Sequence, residues 1–242
     1  MKVLRQQSGA AMFKRRIFIL IIFSACSVIT SCQESAEQHF KKVLDYEKAK
    51  ELKSAIEELN LAVEKNPDYA RAYLERGNIR VNPDYNFKME NLDNDDEASG
   101  LSIKDFTKAV LLDSNTAKDA LTGRGTAYVK LMDYENAIKD FQLAFEIDTT
   151  DAQIIFSLPY IMVLADDMDG LKEFLDRVIE MYPDNSEYYY RRALHRFSSF
   201  YDETGGCEDL KLAKQLFNKE AKYMEPQLNK RIQQMIDIHC KQ

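Results

Sequence analysis

The strongest constraint on how this chain can fold is a side-chain pattern that returns about every 34 residues. Its clearest copy, counted from Lys118, carries small residues at positions 8, 20 and 27 (Gly125, Ala137, Ala144) and large ones at 4, 11, 17 and 24 (Leu121, Tyr128, Tyr134, Phe141). Small residues at that spacing let two antiparallel helices approach closely, and the large ones fill the space between them. A first copy over 36–69 has Tyr46, Leu52, Ala55, Ile56, Leu59, Ala62 and Pro67, with Val43 where a small residue is usual. A second, from Ala70 to about Thr116, keeps Tyr73, Arg76-Gly77, Ser102, Phe106 and Ala109 but holds about 13 extra residues between its helices. The fourth, 152–185, keeps Leu171, Leu175, Val178 and Tyr182-Pro183 and has Pro159 at the small position, so its first helix is expected to be kinked or short. The fifth starts at Ser186 with Tyr189 and Ala193, then Leu210 and Ala213. After Pro226, Leu228, Ile232, Met235, Ile236 and His239 recur at helical spacing, the pattern of a capping helix over 227–241 that covers the last repeat's open face.

This pattern resembles the tetratricopeptide repeat. The resemblance implies an all-α fold, a right-handed superhelix of antiparallel helix pairs, with about five repeats over 36–242, an insertion at 82–97 and a C-terminal capping helix. It also implies a concave groove, lined by positions 2, 5, 9 and 12 of each first helix, that binds an extended peptide or a partner helix. Mapped onto this sequence, those positions give Arg71, Leu74, Asn78 and Val81 in the second repeat, and Asp119, Thr122, Thr126 and Val129 in the third. The fifth adds Tyr190, Leu194 and Phe197. The set is mixed apolar and polar, suited to a protein partner. It departs from the basic clamp with which some family members hold carboxylates, since position 5 is Leu74 and Thr122 rather than Lys.

The N-terminus follows a different rule. Lys14-Arg15-Arg16 precedes an apolar run from Ile17 to Ile29, with small residues between Ser24 and Ser31, the layout of an export signal over 1–31. The run is shorter than the ~20 residues that span a bilayer as a helix. Ile29-Thr30-Ser31-Cys32 resembles a bacterial lipobox, which implies acylation (palmitate) at Cys32, a short tether over 32–35, and a lipid anchor in a bacterial cell envelope, at the outer membrane rather than the inner, with the folded part in the periplasm or on the cell surface. Met12 opens a tidier signal than Met1, and Cys26 would leave with it. The remaining thiols, Cys207 and Cys240, leave two readings open: a disulfide or two buried thiols.

The formal net charge is −7, and the signal takes five cationic residues with it, which leaves about −12 and argues against nucleic acid. The three histidines, His39, His195 and His239, are too scattered in sequence for a zinc or metalloprotease spacing, so no metal and no cofactor are expected. Gly123-Arg124-Gly125 falls inside a helix, Gly205-Gly206 lacks the lysine of a phosphate loop, and no nucleophile is activated, so the chain reads as non-enzymatic. The insertion reads as an acidic connector; Tyr85 and Phe87 could serve a partner contact, while Asp93, Asp95 and Glu97 lack the turn glycine of a calcium loop. The expectation is a protein–protein interaction scaffold whose partner is another envelope protein. The alternative is a glycan- or small-ligand-binding surface lipoprotein in which Tyr188, Tyr189 and Tyr190 stack on sugars.

Overall fold

The computed structural model describes residues 34–82, 84, 90, 92, 94–220 and 226–240. The expected signal, Cys32, most of the insertion including Tyr85 and Phe87, and Lys241 lie outside the described residues. The described secondary structure is helical throughout: α1 (Ala36–Lys48), α2 (Leu52–Lys65), α3 (Ala70–Val81), α4 (Asp95–Leu112), α5 (Ala117–Lys130), α6 (Tyr134–Ile147), α7 (Ala152–Leu164), α8 (Met168–Met181), α9 (Ser186–Ser198), α10 (Glu203–Glu220) and α11 (Pro226–His239). These helices have a helical-repeat solenoid fold and fall into two compact units that divide within α3, between Ala72 and Tyr73.

In the first unit, α1 opens with a capping box in which the Ser35 hydroxyl accepts from the Gln38 amide and the Gln38 side chain accepts from the Ser35 amide. The helices α1 and α2 pack through Phe40, Val43, Ala55, Ile56, Leu59 and Ala62, all buried. Tyr69 seals this hairpin: its ring lies 5.2 Å from that of Phe40 and its hydroxyl donates to Glu37. Burial, and then the hydrogen bond to that carboxylate, push its phenol up to about 12.

The second unit holds the pairs α3/α4, α5/α6, α7/α8 and α9/α10, closed by α11. Within three of them the same two positions form a bidentate ion pair. Arg124 Nε and Nη2 donate to the two oxygens of Asp140 at 2.7 and 2.7 Å, Arg76 to Asp105 at 2.9 and 2.6 Å, and Arg192 to Asp209 at 2.9 and 2.7 Å. All three aspartates are buried. A third guanidinium nitrogen reaches the second helix of the preceding pair: Arg124 donates to Thr107 at 3.0 Å and Arg192 to Asp176 at 2.7 Å. Each arginine therefore ties its own helix pair together, and Arg124 and Arg192 also stitch theirs to the preceding pair. In α7/α8 the equivalent positions are Leu158 and Phe174, both buried, so that pair is held by apolar contact instead.

Close approach inside each pair depends on missing side chains. A Cβ on Gly125 would sit 2.7 Å from the Phe141 ring, and one on Gly77 the same distance from Phe106. Phe106, fully buried, is pressed from the next pair as well, since a Cβ on Gly123 would come within 2.5 Å of it. In α1/α2, α5/α6, α7/α8 and α9/α10 the two helices are joined by a tight turn with one residue in the left-handed region: Lys50 (φ 59°), Met132 (57°), Asp166 (58°) and Tyr201 (54°). Each carries a side chain where glycine is easier, at about 1–2 kcal/mol apiece. In the last three of these turns the following aspartate caps the next helix: Asp133 for the Asn136 amide, Asp167 for that of Gly170 and Asp202 for that of Gly205.

Two expectations need correction. The helix α7 is not short: it continues past Pro159, from Ala152 to Leu164, the length of the other first helices. Pro159 forfeits one backbone hydrogen bond, but Ile154, Ile155, Leu158, Ile161 and Met162 around it are all buried, and that apolar gain exceeds the ~3 kcal/mol penalty. The insertion also ends earlier than expected: Asn94 caps the Glu97 amide, so Asp95–Glu97 form the first turn of α4.

At the C-terminal end Leu228 and Ile232 of α11 join Leu210, Ala213, Leu216 and Phe217 in one buried cluster. Cys207, near the start of α10, is bonded to Cys240, just beyond α11, with Cα atoms 5.6 Å apart. Closing a separation of 33 residues stabilises by on the order of 3–4 kcal/mol in the chain-entropy view.

The glycine packing gives a test with an unusual sign. In an open helix, Gly123→Ala would stabilise by about 1 kcal/mol; here the new methyl must displace the Phe106 ring, for about 1–3 kcal/mol. Thermal unfolding should show a lower Tm for Gly123→Ala than for the wild type, and a raised Tm would contradict the packing described.

Candidate functional site

The face presented by α5 and α7, the first helices of two neighbouring pairs, carries an open, mostly apolar hollow. It measures about 370 Å³ and is lined by Thr126, Val129, Phe141, Phe156, Ser157, Tyr160 and Ile161. Two of these, Thr126 and Val129, are expected groove residues. Phe156 and Tyr160 occupy the same repeat positions as Thr122 and Thr126 one pair further on, but Pro159, at the small-residue position between them, obscures them in the sequence. Tyr160 is 63% exposed, a large aromatic side chain left in water beside an apolar wall.

The polar atoms of this face are largely committed. The Thr122 hydroxyl donates to the Lys118 carbonyl at 3.0 Å and that of Thr126 to the Thr122 carbonyl at 2.9 Å. What remains for a ligand is chiefly apolar and aromatic surface, with few fixed hydrogen-bonding groups to select a small polar molecule.

The other expected groove residues are placed differently. Leu74 is buried with Phe106, Ala109 and Ala120 and does not line an open surface; its position faces the α3/α4 core. Val81 packs half-buried on the same cluster, while the Asn78 amide donates to Glu75 at 3.3 Å. Arg71, in the first unit, is exposed and lies over the Phe40 ring at 5.0 Å. Asp119 is exposed, with a carboxylate oxygen 3.7 Å from Lys118 Nζ. In the fifth repeat Tyr190 is buried, a correction, because it belongs to the cluster that α11 completes; burial raises its phenol pKa. Leu194 packs on that cluster, and Phe197 is stacked on His239 at 4.3 Å.

The tyrosine run meets the same fate. Tyr189 and Tyr190 are buried, and Tyr188 packs edge-on against Phe156 and tilted against Tyr182. Burial leaves Tyr189 and Tyr190 no open ring face for sugar stacking, and Tyr188, half-buried, is engaged by Phe156 and Tyr182.

Next to the α5/α7 hollow, Arg191 lies over the Phe156 ring, 3.5 Å from its centroid, and forms an ion pair with Glu187 at 2.7 Å. His195, one turn further along α9, has its Nδ1 buried without a hydrogen-bond partner, and its pKa is lowered, by burial first and then by the Arg191 charge. These groups brace α9 against α7 and keep the imidazole neutral at pH 7. Among the described residues, one group of potential metal ligands also comes together, Glu34, His39 and Glu58, at a sequence separation that hides it from a spacing search.

The sequence profile of the tetratricopeptide repeat matches residues 119–151, the α5/α6 pair and the turn that follows it. No curated protein matches the chain by sequence. Among solved structures, the fold is similar to that of YrrB, described as a tetratricopeptide-repeat protein with an unusual peptide-binding site, at 18% identity and a TM-score of 0.56 over 86% of this chain and 97% of that one. A MamA protein aligns at 18% identity and TM-score 0.57, over 78% of this chain and 96% of its own. The C-terminal part of a repeat-containing protein from Cytophaga hutchinsonii aligns at 15% identity and TM-score 0.59, over 90% and 81%. At these identities the likeness shows the fold, that of tetratricopeptide-repeat proteins.

Proposed function

We propose that this chain is a non-enzymatic interaction scaffold, anchored to a bacterial envelope membrane through lipid on Cys32, that holds a peptide or helix of another envelope protein on the face formed by α5 and α7. The observation that carries this reading is the exposed Tyr160 beside the apolar hollow of Thr126, Val129, Phe156 and Ser157. Aromatic side chains in such hollows are the usual anchors of protein interfaces. The peptide-binding site in the printed description of YrrB supports the class of ligand. Membrane attachment rests on the lipobox: no described helix is long and apolar enough to cross a membrane. The acidic balance favours a protein partner over nucleic acid.

Replacing Thr126 by Glu and Tyr160 by Ser, side chains at the rim of the hollow rather than in the core, should weaken capture of the envelope partner at least about tenfold. The Tm should stay near that of the wild type. Capture that survives both changes would place the partner elsewhere. For the anchor, Cys32→Ser should abolish labelling by a palmitate analogue and move the chain from the detergent phase to the aqueous phase; labelling that persists would refute acylation at Cys32.

A further inference from the structure

The first helix pair departs from the ion-pair rule of its neighbours in a way that leaves metal-ligand atoms together. The positions held by Arg and Asp elsewhere are Lys42 and Glu58 here. A guanidinium engages both oxygens of a carboxylate, whereas an ammonium is a single point of charge. Lys42 Nζ accordingly sits 3.5 Å from Glu58 Oε1 and 2.5 Å from Glu34 Oε2, and the second oxygen of Glu58 is taken by His39 Nδ1 at 2.6 Å. The same ring nitrogen lies 3.5 Å from Glu34 Oε2. His39 is 7% exposed, fixed between α1 and α2, while Glu34 precedes the helix cap and is free to adjust.

We propose that Glu34, His39 and Glu58 form a site for a divalent transition ion of the zinc class, with Lys42 as the counter-ion that holds the carboxylates when the metal is absent. The three donor atoms lie within 4.8 Å of one another, so a small movement of Glu34 brings all three to the ~2.0–2.2 Å bonds of zinc. One imidazole and two carboxylates carry two negative charges, which the ion neutralises. Mixed nitrogen and oxygen donors, three in number, suit zinc with a water as fourth ligand better than calcium or magnesium, which ask for six or more oxygens. Ligation through Nδ1 requires the neutral ring with its proton on Nε2, and any further proton on the imidazole is released to water as the metal binds. The Lys42 ammonium, on a flexible and partly exposed side chain, swings into water. This site is independent of the α5/α7 face.

The test is calorimetric titration of zinc chloride into the full chain in detergent, untagged and stripped of metal, with calcium chloride as the control. One zinc per chain is expected, with little heat from calcium. Glu34→Gln and His39→Gln should each weaken zinc binding about tenfold or more, and Lys42→Gln should tighten it several-fold by removing the competing cation. Glu34 is exposed and outside the helices, so its variant reports on the site even if His39→Gln fails to fold. A wild type that takes up no zinc, or zinc uptake indifferent to Glu34→Gln, overturns the proposal.

Discussion

The buried arginine–aspartate pair is the interaction on which the other features of the helix pairs in the second unit depend. In α3/α4, α5/α6 and α9/α10 it occupies the same two repeat positions, and in each case the carboxylate is almost fully removed from water. Such a pair sets register more than it adds stability, because desolvating both charges offsets much of their attraction, whereas deleting one partner costs about 3–5 kcal/mol. A guanidinium fork fits a carboxylate in one orientation only, so the two helices cannot slide past one another by a turn. Its remaining nitrogen, bonded to Thr107 or Asp176, extends that register to the preceding pair.

The two departures from this rule are informative. In α7/α8 the pair is replaced by Leu158 and Phe174, and this is the most apolar of the helix pairs, with Pro159 accommodated within its first helix. Freed of a buried charge, α7 directs large side chains to both of its sides: Leu158 and Met162 into the core, Phe156 and Tyr160 toward the hollow it shares with α5. In α1/α2 the weaker Lys42–Glu58 contact leaves carboxylate oxygen for His39, and a polar cluster forms where the other pairs have a closed fork.

Much of the fold is legible in the sequence because its determinants are local and periodic. Gly125, Ala137 and Ala144 face Tyr128 and Phe141 at fixed spacing, and a reader needs no structure to see that two helices meet there. The candidate site is less legible. Whether a groove position is open depends on what lies across from it: Leu74 is covered within its own pair and Tyr190 within the cluster that α11 completes, yet both share the spacing that leaves Thr126 and Val129 at an open hollow. Pro159 misleads for a related reason, since its cost is local and readable while the packing that offsets it comes from α6 and α8 and is not. The Glu34–His39–Glu58 cluster needs two helices folded against each other before its ligands meet.

If the α5/α7 face is where this chain meets its partner, proximity can be read directly. A photo-reactive benzoyl-phenylalanine would be placed at Tyr160, on the rim of the hollow, and in a second variant at Leu143, which is 53% exposed on α6 and does not line it. After irradiation of living cells, a covalent adduct to one envelope protein should form from position 160 and not from 143. An adduct that forms from 143 and not from 160 would contradict the assignment of the binding face.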